Sequence, residues 1–344
     1  MLKFNRSAVF AAILLVAISV SARAQKPRYH VEIFEEKQFT ITVTDILPFN
    51  SRVPSLVLIA TVPPSLPSQK DMTLTMRYDN NKIGVSAREL SPLHREILVA
   101  DLKDVAPKPA ITTEYKGILR RRRLAAGAPT IPVPELTPEV RSQTLAATTM
   151  CDYNKPDFQA FLNASNLHPR IGEGELMFGY RAFCFVKDKY TYEHTESSGS
   201  EVRTANFLRT VSSLDCGEAV LELAAILRSN SIPCRIKVGR NVVPDDTHEY
   251  GAQRHVKAEY FVSGIGWVPI EIAGALGLQD TTYTFGYDNY YFLVTHVEND
   301  LLLDVKEEKK RTIHWWSVMR FFGSVREEGI TTEKWTIESS STKP

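Results

Sequence analysis

The sequence predicts an α+β protein, on three observations taken in chain order. Strand signals fill residues 29–114, the hydrophobic period changes to that of helices after residue 139, and strand signals return from residue 235. In the first region Phe39, Ile41 and Val43 alternate with threonines, as do Met72, Leu74 and Met76. Residues 56–62 form a continuous apolar run of the kind that fills a sandwich core. Pro63-Pro64, Asp79-Asn80-Asn81 and residues 107–109 punctuate these as turns. An antiparallel β-sandwich over residues 25–123 is expected. The four arginines 120–123 read as a solvated charge run, and the proline-rich stretch 124–138 as an exposed linker.

Residues 139–344 form the second expected domain. Residues 157–167, 175–187 and 214–227 have helical spacing, and residues 254–262 and 267–272 are the clearest strands after them. The aromatic tail 312–322, with Trp315, Trp316, Phe321 and Phe322, is expected to pack back on this domain as core.

Residues 1–24 stand apart. Lys3 and Arg6 precede an apolar stretch broken only by Ser19, and Ala22-Arg23-Ala24 follows, the pattern of a cleaved secretory leader. Its removal takes the formal charge from +1 to −2, which gives no reason to expect nucleic acid as a partner. No later segment is apolar enough to span a bilayer, so the mature chain is expected in the periplasm or outside the cell, without a membrane span. The sequence shows no phosphate-cradling glycine motif, metal-ligand spacing or calcium loop, and no cofactor is expected. Four cysteines in an oxidising compartment suggest disulfides; if one is a working thiol, two of Cys151, Cys184 and Cys234 are left to pair.

The candidate thiol is Cys216. Asp215 is a plausible N-cap and Val220, Leu223, Ala224 and Leu227 form the apolar face of a helix, which puts Cys216 in its first turn. Unpaired amides and the helix dipole favour a thiolate there. Such a nucleophile needs a base. His255 opens a strand with Lys257, Glu259 and Phe261 on its face, and Glu271, at the end of the returning strand, is the candidate carboxylate to orient it. A symmetric four-residue turn would set Glu271 opposite Ala258, so a register shift or bulge is required. Glu259 shares the face of His255 but lies about 13 Å along the strand, too far to bond to it.

Together these residues resemble the transglutaminase-like family of papain-type thiol enzymes. The similarity rests on Cys216-Gly217, Ser231-Ile232-Pro233-Cys234-Arg235, His255, Gly266-Trp267-Val268-Pro269 with Glu271, and Phe285-Gly286-Tyr287 before Asp288-Asn289. The resemblance implies a helix carrying the cysteine packed on an antiparallel sheet, with a β domain in front, as in exported bacterial members. It implies Cys216 as nucleophile, His255 as general acid and base, Glu271 as orienting carboxylate, and a protein or peptide as substrate. Attack on an amide would give a Cys216 thioester, resolved by water or by an amine. The Cys216 amide is the one oxyanion donor it names. Two positions depart from the family: Glu271 stands where Asp is usual, and Lys257 where an aromatic is common. They leave a second expectation open, a transglutaminase-like binding or assembly module with impaired catalysis.

Overall fold

The computed structural model describes residues 28–78, 81–83, 86–89, 95–194, 203–243, 254–305, 308–315, 320–323 and 332–341; the leader read in residues 1–24 and Trp316 lie outside them. Seven strands come first: β1 (Tyr29–Ile46), β2 (Val53–Thr61), β3 (Gln69–Tyr78), β4 (Asn81–Lys82), β5 (Ser86–Glu89), β6 (Glu96–Val105) and β7 (Ala110–Ala126). Helices α1 (Pro138–Leu145), α2 (Pro156–Ala164) and α3 (Glu175–Lys189) follow, then β8 (Thr191–Tyr192), α4 (Ala205–Leu208), β9 (Ser213–Leu214) and α5 (Cys216–Ser229). The second sheet region comprises β10 (Cys234–Val242), β11 (Arg254–Val262), β12 (Gly266–Ile270), β13 (Tyr291–Val297), β14 (Leu301–Val305), β15 (Glu308–Ile313), β16 (Arg320–Gly323) and β17 (Thr332–Ser341).

Three larger sheets are stacked. One has the order β16-β2-β6-β5, the next β17-β1-β7-β3-β4, and the third β12-β11-β10-β13. The first two form the sandwich, closed over Leu56, Leu58 and Ala60 of β2, Met76 of β3, Ala100 of β6 and Ile111 of β7. The second also packs on the third: Phe39, Ile41 and Val43 of β1 share a core with Val242 of β10 and Tyr291 and Leu293 of β13. The far face of the third sheet carries the helices, with Val256, Ala258 and Tyr260 of β11 against Val220, Leu223 and Ala224 of α5. An α+β fold therefore presents its cysteine-bearing helix on an antiparallel sheet, with the β-sandwich behind.

Two expectations fail here. Residues 120–123 are not a solvated run: they continue β7, where Arg120, Arg121 and Arg123 pair with Glu36, Glu35 and Glu32 of β1. Arg122 points the other way and is 1 % exposed, bonded to Glu259 at 2.8 Å and Asp288 at 2.9 Å. The C-terminal tail does not pack back on the third sheet and its helices alone. Strand β16 pairs with β2 and β17 with β1, both in the sandwich. Strand pairing between segments so distant in sequence leaves no local pattern from which to read it.

Candidate active site

The helix that carries Cys216 starts where its polar groups dictate. The Asp215 side chain accepts from the Glu218 amide at 2.8 Å, and the Glu218 carboxylate accepts from the Asp215 amide at 3.1 Å, a reciprocal cap. Beyond it every residue from Gly217 to Arg228 is buried, more than the single apolar stripe predicts, because other helices and the sheet enclose it on all sides. Cys216 itself is half-buried. The Trp315 indole lies against this turn: a Cβ on Gly217 would come within 3.3 Å of it. Trp315 is half-buried there, beside the thiol rather than in the deep core. An open groove lined by Arg203, Phe207, Val211 and Ser213 runs beside β9, which leads into Cys216.

The base arrives on the sheet. Val262 pairs with Gly266, so the β11–β12 loop is three residues long, with Gly264 at φ 73° and Gly266 at φ 100°. This is the register shift that the sequence required. Ala258 faces Ile270, and by continuation Glu271 falls across from Lys257, on the face of His255. Past β12 the chain is held by the Glu271 amide donating to Thr284 at 2.7 Å and by the Ile270–Phe285 bridge.

His255 Nε2 meets Glu271 Oε1 at 2.8 Å, and the Cys216 side chain is near enough to the His255 ring to interact with it. With Nε2 taken, Nδ1 is the nitrogen left for the thiol. The three predicted site residues thus stand in one line. Glu271 Oε1 also accepts from the Gly274 amide at 3.3 Å, and Oε2 accepts from Lys257 Nζ at 3.1 Å. Burial works against charge on both groups and is outweighed. For Glu271, 3 % exposed, the positive charges of Lys257 and His255 bring the carboxyl down to about 2. For His255, the Glu271 charge and the interaction with Cys216 bring the imidazole up to about 9. At neutral pH the site holds an imidazolium beside the thiol and a carboxylate behind it.

The remaining cysteines take no part. All four are free, so the disulfide expected between two of Cys151, Cys184 and Cys234 is not formed. Burial pushes the Cys151 thiol up to about 12, and Cys234 is buried and raised in the same way, the mark of inert core thiols. Glu259 belongs to another network: fully buried, it binds Arg122, Arg235 at 2.8 Å and Lys237 at 3.3 Å. Sequence reasoning missed Asn289, which accepts from Lys257 Nζ at 2.7 Å, and it took Lys257 for a departure rather than a partner. The parity of β11 already put Lys257 on the face of His255, and that was the available signal. Among the described residues, no group of three His, Cys, Asp or Glu side chains could hold a metal ion, and no helix is long and apolar enough to cross a membrane.

Residues 173–272 match the model of the transglutaminase-like superfamily. A candidate cysteine protease from Cytophaga hutchinsonii superposes with a TM-score of 0.52 at 14% identity, over 92% of this chain and 93% of its own. The periplasmic domain of TgpA from Pseudomonas aeruginosa, solved with ethylmercury bound, gives a TM-score of 0.35 at 12% identity over 70% of this chain and 91% of its own. Among curated proteins, none matches the sequence.

Proposed function

We propose, from the match of residues 173–272 to the transglutaminase-like superfamily, that the chain is a cysteine enzyme cleaving amide or peptide bonds through a Cys216 thioester. The observation that carries this is the bond of His255 Nε2 to Glu271 at 2.8 Å, with the Cys216 side chain within interaction range of the same ring. In this reading the Cys216 sulfur, as thiolate, adds to the substrate carbonyl. The Cys216 amide at the helix start faces the negative charge that develops on the oxygen. His255, protonated at neutral pH, gives its proton to the leaving amine, and Glu271 holds the ring in place while it does so. Neutral His255 then takes a proton from water, whose oxygen attacks the thioester and releases the acid.

Water is the expected acceptor because the site is open: the His255 side chain retains 17% exposure and Cys216 is half-buried. A primary amine in place of water would make the product a new amide, and the two fates are told apart by mass.

The test is the rate of Cys216 alkylation by iodoacetate, an anion that an imidazolium beside the thiolate attracts, against pH, followed by mass spectrometry in the wild type and in His255→Ala. Fast labelling near neutral pH, falling as His255 deprotonates around pH 9 and lost in His255→Ala, is the expected result. Labelling at the rate of an ordinary thiol in both proteins turns the assignment to a non-catalytic binding module.

A further inference from the structure

Lys257 is the charged residue that the family pattern does not explain, and its surroundings are built. It is 1 % exposed, on β11 two residues beyond His255. Its ammonium donates to Glu271 Oε2 at 3.1 Å and to Asn289 Oδ1 at 2.7 Å, and it lies 5.2 Å from the centre of the Phe292 ring. A buried ammonium is retained only where its partners are fixed. They are fixed from the sandwich. Arg121 of β7 donates to the Asp288 carbonyl at 3.1 Å and the Asn289 carbonyl at 3.0 Å. Arg122 holds the Asp288 carboxylate through Nε at 2.9 Å and through its own amide at 3.2 Å, while the Asp288 amide donates to the Arg122 carbonyl at 2.8 Å.

We infer that Lys257 is a positioning residue for the catalytic base: anchored through Asn289 to the arginines of β7, it fixes Oε2 of Glu271 so that Oε1 addresses His255. The longer glutamate reaches the imidazole as a held lever, and the β-sandwich becomes part of the support of the active site. This inference rests on the enzyme reading above. The titratable groups around His255 are Cys216 and Asp215 of α5, Glu271, Tyr192 of β8 and Lys257 itself, with Lys237 of β10 behind Lys257. Removing the ammonium leaves one oxygen of a buried carboxylate without its partner, so the group turns or takes up a proton, and its pairing with the imidazolium weakens. A lysine acting only as a nearby positive charge would have the opposite effect, since its loss would stabilise the imidazolium.

The experiment is the pH profile of Cys216 alkylation by anionic iodoacetate, whose rate reports the imidazolium charge, in the wild type, Lys257→Met, Lys257→Arg and Asn289→Ala, with thermal melting of each. In Lys257→Met the alkaline limb is expected to fall by about one pH unit, with labelling at pH 8 slowed about twofold. Arginine, which can donate to both oxygens' acceptors, restores the limb. Asn289→Ala, which keeps the charge but frees it, shifts the limb in the same direction by less, and it carries the test if Lys257→Met does not fold. An alkaline limb that stays in place or rises in these variants overturns the positioning role. A wild type without any His255-dependent acceleration removes the enzyme reading itself, a different failure that the same data identify.

Discussion

Glu222 lies on α5 within two turns of the nucleophile, fully buried, with the Tyr190 hydroxyl donating to Oε1 at 2.9 Å and no partner on Oε2. Burial, only partly offset by Lys189, raises its carboxyl to about 7. A carboxyl raised above its ordinary 4.5 costs stability as pH rises from that value through the folded one, on the order of 3 kcal/mol in all. Glu222→Gln is therefore expected to shrink the fall in melting temperature between pH 5 and pH 7, where His255 contributes little; a fall unchanged in the variant would refute it. The site pair has the opposite signs. Glu271, lowered to about 2, contributes stability that is present above 4.5 and lost as pH falls through 2. His255, raised to about 9, contributes stability that is present below 6.5 and lost as pH rises through 9. Glu271→Gln is expected to bring the alkaline limb of thiol labelling down towards 6.5 and to slow turnover on an amide substrate by about 10²–10⁴-fold. Steady-state kinetics across the pH range would show both effects or neither.

At the scale of elements, the start of α5 sets the nucleophile. Asp215→Ala removes the side-chain half of the reciprocal cap, leaving the backbone amide of residue 215 bonded to Glu218, and is expected to cost about 1 kcal/mol, read from denaturant midpoints, with thiol labelling slowed through fraying of the first turn. This element was legible because its signals are local: the cap, the glycine and the apolar face all lie within a dozen residues. The strand bearing His255 was legible for the same reason, down to its bounds at Arg254–Val262. The β11–β12 register was only half legible. Gly264 and Gly266 both announced a turn, and its length depended on which residues paired across it. One residue of slip exchanges the faces of a strand, so the placement of Glu271 hung on that single choice.

Over the whole molecule, local signals run out. Four consecutive arginines read as solvent-facing because a buried guanidinium is ruinous without partners. Those of Arg122 are Glu259 and Asp288, far away in sequence, and nothing near residue 122 announces them. Arg122→Met leaves both acids buried and short of a counter-charge. It is expected to cost about 3–5 kcal/mol, with sandwich and third sheet melting as one unit in calorimetry. Two separate transitions would contradict that coupling. The pairing of β1 with β17, Ile46 opposite Thr332 and Lys37 opposite Ser341, bears on the order in which the molecule is made. During synthesis the first strand emerges early, and its outer edge has to wait for the last to leave the ribosome. Until then that edge is a long, open template for another chain, and closing it joins segments far apart in the sequence. The slowest folding event is expected to be this long-range pairing, and a nascent chain arrested before it to be the species most in need of a chaperone.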